Sequence, residues 1–209
     1  MNNGDWLMQN GEKAQLMLDG KLLQTPQPTA GLGYVKTTEP VEFRPSEHHE
    51  LTISKVSEGT SWGAVFAQFF QPASEITDAA MGLKVKREVW VDSTRLADTK
   101  VLKIGDKVRI RLTIIADRDY DFVQVIDKRA ACLEPVSQLS GYHWGYYIAP
   151  KDYTTNYYFD RMAKGKHVVE TEYYINRAGV YQTGVCTAQC AYAPEYCGRT
   201  GAMRLSVED

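Results

Sequence analysis

Apolar and polar residues alternate with a period of two through most of the second half of the chain, the signature of strands with one buried face. Leu83 to Val91 places Leu83, Val85, Val89 and Val91 on one parity, interrupted only by Arg87. Lys107 to Ile114 alternates more cleanly behind a Gly105-Asp106 turn, and Phe122 to Asp127 supplies a third strand. Asn156 to Arg161, Gly165 to Ile175, Val180 to Val185 and Met203 to Val207 continue the series. Short strands separated by turns in this way predict an all-β fold, an antiparallel β-sandwich.

The upstream part is also β in pattern, but sparser. Gln15 to Leu18 and Lys21 to Gln24 flank Asp19-Gly20, a two-residue turn signal because glycine accepts positive φ. Pro26 and Pro28 end that hairpin, since proline cannot donate to a ladder. Glu50 to Val56 alternates, and Trp62 to Phe70 is apolar on both parities, which reads as a short strand buried on both faces. Met1 to Lys13 specifies no element. Pro72 to Met81 reads as a polar connector, dividing a smaller β unit (residues 1–80) from the sandwich (residues 81–209).

Two stretches break the strand rhythm. Arg129 to Pro150 contains Cys132, Pro135, Gly141 and Gly145, and loops of that length are usually functional or packed on themselves. Of 13 tyrosines, Tyr142, Tyr146, Tyr147, Tyr153, Tyr157 and Tyr158 cluster around it. Such rings can stack on sugars or peptides, or form the packed base of a long loop. Tyr181 to Gly201 holds Cys186, Cys190 and Cys197 and reads as a long loop between two terminal strands, where a rigid scaffold displays function.

Bulk composition narrows the function classes. With 209 residues and 44% hydrophobic content, the chain can bury a core in one or two domains. A net charge of -2 with dispersed basic residues leaves no footprint for nucleic acid or an acidic membrane surface. No apolar run is long enough for a membrane helix, and Met1 to Asp5 has no signal-peptide character. Cys132, Cys186, Cys190 and Cys197 permit one or two disulfides, and Cys190 and Cys197 are the nearest pair in sequence. His48 and His49 are poorly placed to complete a zinc site with them, so neither metal nor cofactor is expected. His143 and His167 lack a cysteine-enzyme context, no carboxylates are spaced as an acid and base pair, and Gly31-Leu32-Gly33 is not a phosphate loop. Asp160 and Arg161, like Glu195 and Arg199, read as loop-bracing ion pairs. The expectation is a protein that is not an enzyme.

Tyr192-Ala193-Pro194-Glu195 followed by Gly198-Arg199-Thr200 resembles the C-terminal end of bacterial α2-macroglobulin-like proteins. Leu133 to Tyr142 and Phe159 to Gly165 resemble the same family, in the right order, so that the resemblance covers about Met81 to Asp209. It implies the C-terminal piece of a protease trap: the returning half of a CUB-like domain, then the last macroglobulin-like sandwich. It also implies export to the periplasm or cell envelope, with the signal and any membrane anchor at a distant N-terminus. The implied partners are the thioester domain of the same parent chain and, through the parent, target proteases. Cys186 and Gln189 match the thioester spacing, but the family's thioester lies in a helical domain elsewhere, so the match reads as coincidental. Tyr192 is the candidate to shield a thioester, in a loop with Pro194, Glu195, Gly198 and Arg199. The rival reading is a secreted carbohydrate- or peptide-binding β-sandwich that uses the tyrosines between Tyr142 and Tyr158.

Overall fold

The computed structural model describes residues 14–23, 48–55, 70–96 and 101–209, and the chain divides into two units, Met1–Phe70 and Gln71–Asp209. In the first unit β1 (Gln15–Leu18), β2 (Lys21–Leu22) and β3 (Leu51–Ser54) form an antiparallel sheet in the order β2-β1-β3. Asp19 (φ 50) and Gly20 (φ 76) both take left-handed backbone, the turn whose twist matches that of the flanking strands. The Asp19 carboxylate accepts from the Glu50 amide at 2.9 Å and from His49 Nδ1 at 2.8 Å, tying the turn to β3. The strand expected at Trp62 to Phe70 lies, Phe70 apart, outside the described residues, as do Met1 to Lys13, Pro26 and Pro28.

The second unit begins earlier than the connector at Pro72 to Met81 implied. After a 3-10 turn (Ala73–Glu75), β4 (Ala79–Met81) is already part of the main sheet. It is followed by β5 (Leu83–Val91), β6 (Thr94–Arg95), β7 (Leu102–Lys103), β8 (Lys107–Ala116) and β9 (Tyr120–Lys128). Next come β10 (Leu133–Pro135), β11 (Gly141–His143), β12 (Tyr146–Pro150), β13 (Thr154–Met162) and β14 (Gly165–Ile175). The chain closes with β15 (Gly179–Gln182), β16 (Cys186–Cys190), β17 (Cys197–Thr200) and β18 (Arg204–Glu208).

Their order is β10-β14-β8-β5-β4-β17-β16-β9-β13-β12-β11, all antiparallel, with β6 hairpinned onto β5. β5 also packs against β16 and β17, so the sheet doubles over into a sandwich joined through β4. A small sheet, β15-β18-β7, includes the parallel pair β18 and β7. Among the described residues no helix is long and apolar enough to cross a membrane.

The core follows the alternation seen in the sequence. Leu83, Val85 and Val89 of β5 and Val108, Ile110, Leu112 and Ile114 of β8 are buried, and they are clustered with Val123, Val125, Tyr157 and Phe159 of the facing strands. Each such aliphatic side chain contributes roughly 1.5–3 kcal/mol through the area it removes from water. Two buried tyrosines join the layers by a reciprocal exchange. Tyr157 Oη of β13 lies 2.6 Å from Thr171 Oγ1 of β14, while Tyr173 Oη of β14 lies 2.8 Å from Thr155 Oγ1 of β13. Each hydroxyl thereby keeps a partner that burial would otherwise deny it.

Arg87 sits on the buried parity of β5 because both terminal nitrogens of its guanidinium are engaged there. Nη1 donates to Asp127 Oδ1 at 2.7 Å, and Nη2 donates to Thr183 Oγ1 at 2.7 Å and to the carbonyls of Gly184 at 2.8 Å and Gly201 at 2.7 Å. Both charged side chains are wholly buried. Removing one member of such a pair leaves an uncompensated buried charge, which typically costs about 3–5 kcal/mol.

Arg87→Ala is therefore expected to lower unfolding free energy by about 3–5 kcal/mol in urea titration, with no rescue by Arg87→Lys, whose single ammonium cannot span the same acceptors. Alkaline stability gives a second check. Burial, then the hydrogen bond to Asp117, pushes the Tyr120 hydroxyl from 10.0 up to about 12, and burial raises Tyr157 and Tyr173 well above the usual range. Since the folded values exceed the unfolded ones, the stabilisation is whole below about pH 10 and is lost as pH rises through about 12. Ultraviolet titration should show these three phenols ionising together with the loss of β-structure.

Candidate functional site

The stretch Tyr181 to Gly201, expected as one long loop, is largely a hairpin built into the sheet. Cys186, Ala188 and Cys190 of β16 face inward while Gln189 faces out, and the strand is paired on one side with β9 and on the other with β17. Only Ala191 to Tyr196 turns. The strand was missed because cysteine, alanine and threonine give weak apolar contrast, so the alternation is invisible until burial is known. β17 presses directly on β5: a Cβ on Gly198 would lie 2.1 Å from the Leu83 carbonyl oxygen, so only glycine fits.

Arg87 holds the base of this hairpin, since Thr183 and Gly184 lead into β16 and Gly201 leads out of β17. Thr183 extends the grip by accepting from the Met203 amide at 2.9 Å. At the far end the turn is closed by backbone bonds from Cys190 to Tyr196 and from Tyr196 to Ala193, each at 3.0 Å, and from Ala191 to Phe122 at 2.8 Å. Tyr196 packs beside Tyr120 at 5.3 Å, with the Arg118 guanidinium 5.1 Å from its ring centre. Tyr120 in turn donates to Asp117 Oδ1 at 2.5 Å and occupies the space over Gly82 (φ 78), where a Cβ would lie 2.1 Å from its hydroxyl. Arg118 and then Tyr120 hold the Asp117 carboxyl below its usual range.

Tyr192 points the other way. It is 81% exposed, and its ring meets Phe122 edge-on, with centroids 5.2 Å apart. Phe122 itself is 50% exposed and sits at φ 55, a left-handed conformation that a bulky residue rarely adopts. Nothing in the sequence marked it. Pro194 and Glu195 lie exposed in the turn beside Tyr192, whereas Gly198 and Arg199 belong to β17. Arg199 donates to the Thr77 carbonyl at 3.2 Å instead of pairing with Glu195, and Arg161 pairs with Asp119 at 3.0 Å instead of Asp160.

All four cysteines are free thiols. Cys190 and Cys197, the pair nearest in sequence, are not bridged here: Cys197 lies opposite Gln189, so it shares the outer face with Gln189 while Cys190 faces inward. Cys186 and Gln189 likewise face opposite ways, which rules out a thioester between them. Burial, then the neighbouring Asp127, pushes the Cys186 thiol well above its usual range, and burial raises Cys132, so neither is an activated nucleophile. His143 stacks on Tyr146 at 5.5 Å, and His167 Nε2 lies 2.7 Å from the Ala163 carbonyl. Among the described residues no three His, Cys, Asp or Glu converge as metal ligands.

The tyrosine-rich excursion is also sheet. β11 and β12 form a hairpin added to β13, with Trp144 fully exposed at its turn. Tyr146 turns inward against Tyr157 and Phe159, and Tyr142 and Tyr147 meet edge-on at 5.1 Å on the outer side. Between this hairpin and β14 lies an open cleft of about 560 Å³, lined by Arg109, Leu139, His143, Ile148 and Glu172 among others. Its charges are spent on each other, with Arg109 3.6 Å from Glu170 and 3.9 Å from Glu172.

Residues 82–195 match the family described as the bacterial alpha-2-macroglobulin MG10 domain. Three solved structures share the fold over 66% of the chain. They are a Salmonella alpha-2-macroglobulin mutant (20% identity, TM-score 0.59), the native conformation of the Escherichia coli protein (17%, 0.58), and an E. coli fragment from domain MG7 to the C-terminus (18%, 0.56). The chain spans 10% of the length of each of the first two and 25% of the third. Comparison with curated proteins gives no match.

Burial makes the thiols distinguishable. Ellman's reagent should modify Cys197 alone in the native protein and reach Cys132, Cys186 and Cys190 only after denaturation. A native count above one would overturn the burial of the three inward thiols.

Proposed function

Because the chain belongs to the bacterial α2-macroglobulin family, we propose that it is the C-terminal region of a protease-trapping inhibitor, supplying interdomain contacts and no chemistry of its own. The carrying observation is the match over residues 82–195, which includes the turn that presents Tyr192. In this reading the sandwich is the last macroglobulin-like domain, and the sheet of β1, β2 and β3 belongs to the returning half of a CUB-like domain. The parent is an exported protein of the periplasm or cell envelope, whose other domains meet the attacking protease.

The exposed Tyr192 ring covers a thioester held by another domain of the parent. A thioester survives in water only while access is restricted, and a flat ring braced from one edge by Phe122 can restrict it without having to order itself first. Pro194 and Glu195 shape the same contact from the turn, and Gly198 and Arg199 hold the strand behind it.

The test is made in a full-length parent that contains a thioester. Tyr192→Ala is expected to speed spontaneous thiol release and methylamine uptake, in the absence of protease, by about tenfold, equivalent to roughly 1.4 kcal/mol of barrier. Phe122→Ala should give a smaller increase in the same direction. An unchanged rate in Tyr192→Ala would remove the residue from any shielding role.

A further inference from the structure

The two outer faces of the sandwich carry opposite chemistry. Outside β14, β8 and β5 most exposed residues are charged and pair with one another, with Ile115, Val168 and Tyr174 among them. Lys107 pairs with Glu172 at 2.7 Å and Arg111 with Glu170 at 2.5 Å, while Glu88 pairs with Lys86 at 2.8 Å and Arg95 at 3.2 Å. Arg111 also lies over the Trp90 ring at 4.5 Å. The paired charges of that face have little left to offer a ligand.

On the opposite face the strand registers align one row across β11, β12, β13, β9, β16, β17 and β4. Tyr142 stands opposite Tyr147, Tyr147 opposite Tyr158, and Tyr158 opposite Gln124. The row continues from Gln124 to Gln189, from Gln189 to Cys197 and from Cys197 to Met81. With strands about 4.8 Å apart, the strip is roughly 29 Å long. None of its members is an Asp, Glu, Lys, Arg or His, and both ends are open to solvent, Tyr142 at 78% and Met81 at 62%. The tyrosines are held in place before any ligand arrives. Tyr147 packs on Tyr142 at 5.1 Å and on Tyr158 at 6.4 Å, and Asn156 Nδ2 donates to Tyr158 Oη at 3.2 Å, leaving that hydroxyl's own hydrogen for another acceptor.

We propose that this strip binds a linear, neutral oligosaccharide. Sugar rings present C–H faces that pack on the electron-rich faces of aromatic rings, and hydroxyls that both donate and accept. Tyrosine hydroxyls and glutamine amides have the same dual capacity, and five of the seven positions carry one or the other. With no charge in the row, a neutral ligand meets no ion along it that must be stripped of water, and the charges flanking it on this face, Asp160 beside Tyr158 and Arg199 beside Cys197, are of opposite sign. A protein partner would favour an apolar centre to the interface, whereas here hydroxyls and amides occupy the centre and the one large aliphatic side chain, Met81, is at an end.

The experiment uses the full chain, titrated calorimetrically with cellohexaose, chitohexaose and maltohexaose, and with hexagalacturonate as the acidic comparison. At least one neutral hexamer should saturate with a Kd below about 1 mM, and the acidic one should not. Tyr142→Ala combined with Tyr158→Ala should weaken binding at least tenfold, as should Gln124→Ala, and Tyr192→Ala should leave it unchanged, which separates this strip from any thioester contact. Near-ultraviolet circular dichroism checks that each variant keeps its fold. If the double variant does not, Gln189→Ala, at an exposed position, takes its place. The proposal is overturned if no neutral hexamer saturates, if the strip variants bind as tightly as the wild type, or if they weaken only the association with other parts of a parent chain.

Discussion

The buried Arg87 guanidinium is the constraint around which the sandwich is assembled. An arginine in a hydrophobic layer is unfavourable unless its donors are met, and here one fork reaches a carboxylate, a hydroxyl and two backbone carbonyls between 2.7 and 2.8 Å. The carbonyls are those of Gly184 and Gly201, where the chain enters β16 and leaves β17. Chain crossings of this kind interrupt the ladder and would leave buried acceptors unpaired. A lysine could supply charge but not five donors in a plane, and an aliphatic residue could supply neither.

Fixing the crossings fixes what the hairpin displays. From the Arg87 end, β16 and β17 run between β9 and β4 to a turn whose inner side is the stack of Arg118, Tyr196 and Tyr120 and whose outer side is the pair Phe122 and Tyr192. The strained backbone at Phe122 is tolerated because the Ala191 amide bonds its carbonyl and the ladder continues on both sides. Strain of that kind persists only where the surroundings over-determine it, and here it aims an aromatic ring at solvent.

The tyrosines show how one residue type is divided by strand parity. On β13, Tyr157 turns inward and bonds Thr171, while its neighbour Tyr158 turns outward to meet Tyr147. On β12, Tyr146 packs inward on Phe159 and Tyr147 joins the outer row. Packed base and open recognition surface are thus the two sides of the same strands, and the choice offered by composition alone is not a choice the molecule makes.

By itself the sequence determined the local elements whose apolar contrast is strong. β5 and β14 have the ends their alternation implies, β8 and β9 extend theirs by two residues or fewer at each end, and Asp19-Gly20 makes its two-residue turn. It also marked Arg87 as the one charged residue on the apolar parity of Leu83 to Val91, and it carried the family through the stretches near Leu133, Phe159 and Tyr192. The tertiary structure alone decided that Cys186 to Thr200 is a hairpin between β9 and β4, that Cys190 and Cys197 face opposite ways, and that seven distant residues share one row. The reason is the range of the interactions. Alternation reflects burial of one strand and is written within a few residues, whereas the neighbours and register of this hairpin are set by pairings across tens of residues with β9 and more than a hundred with β4, which no local pattern of weakly contrasting side chains can encode.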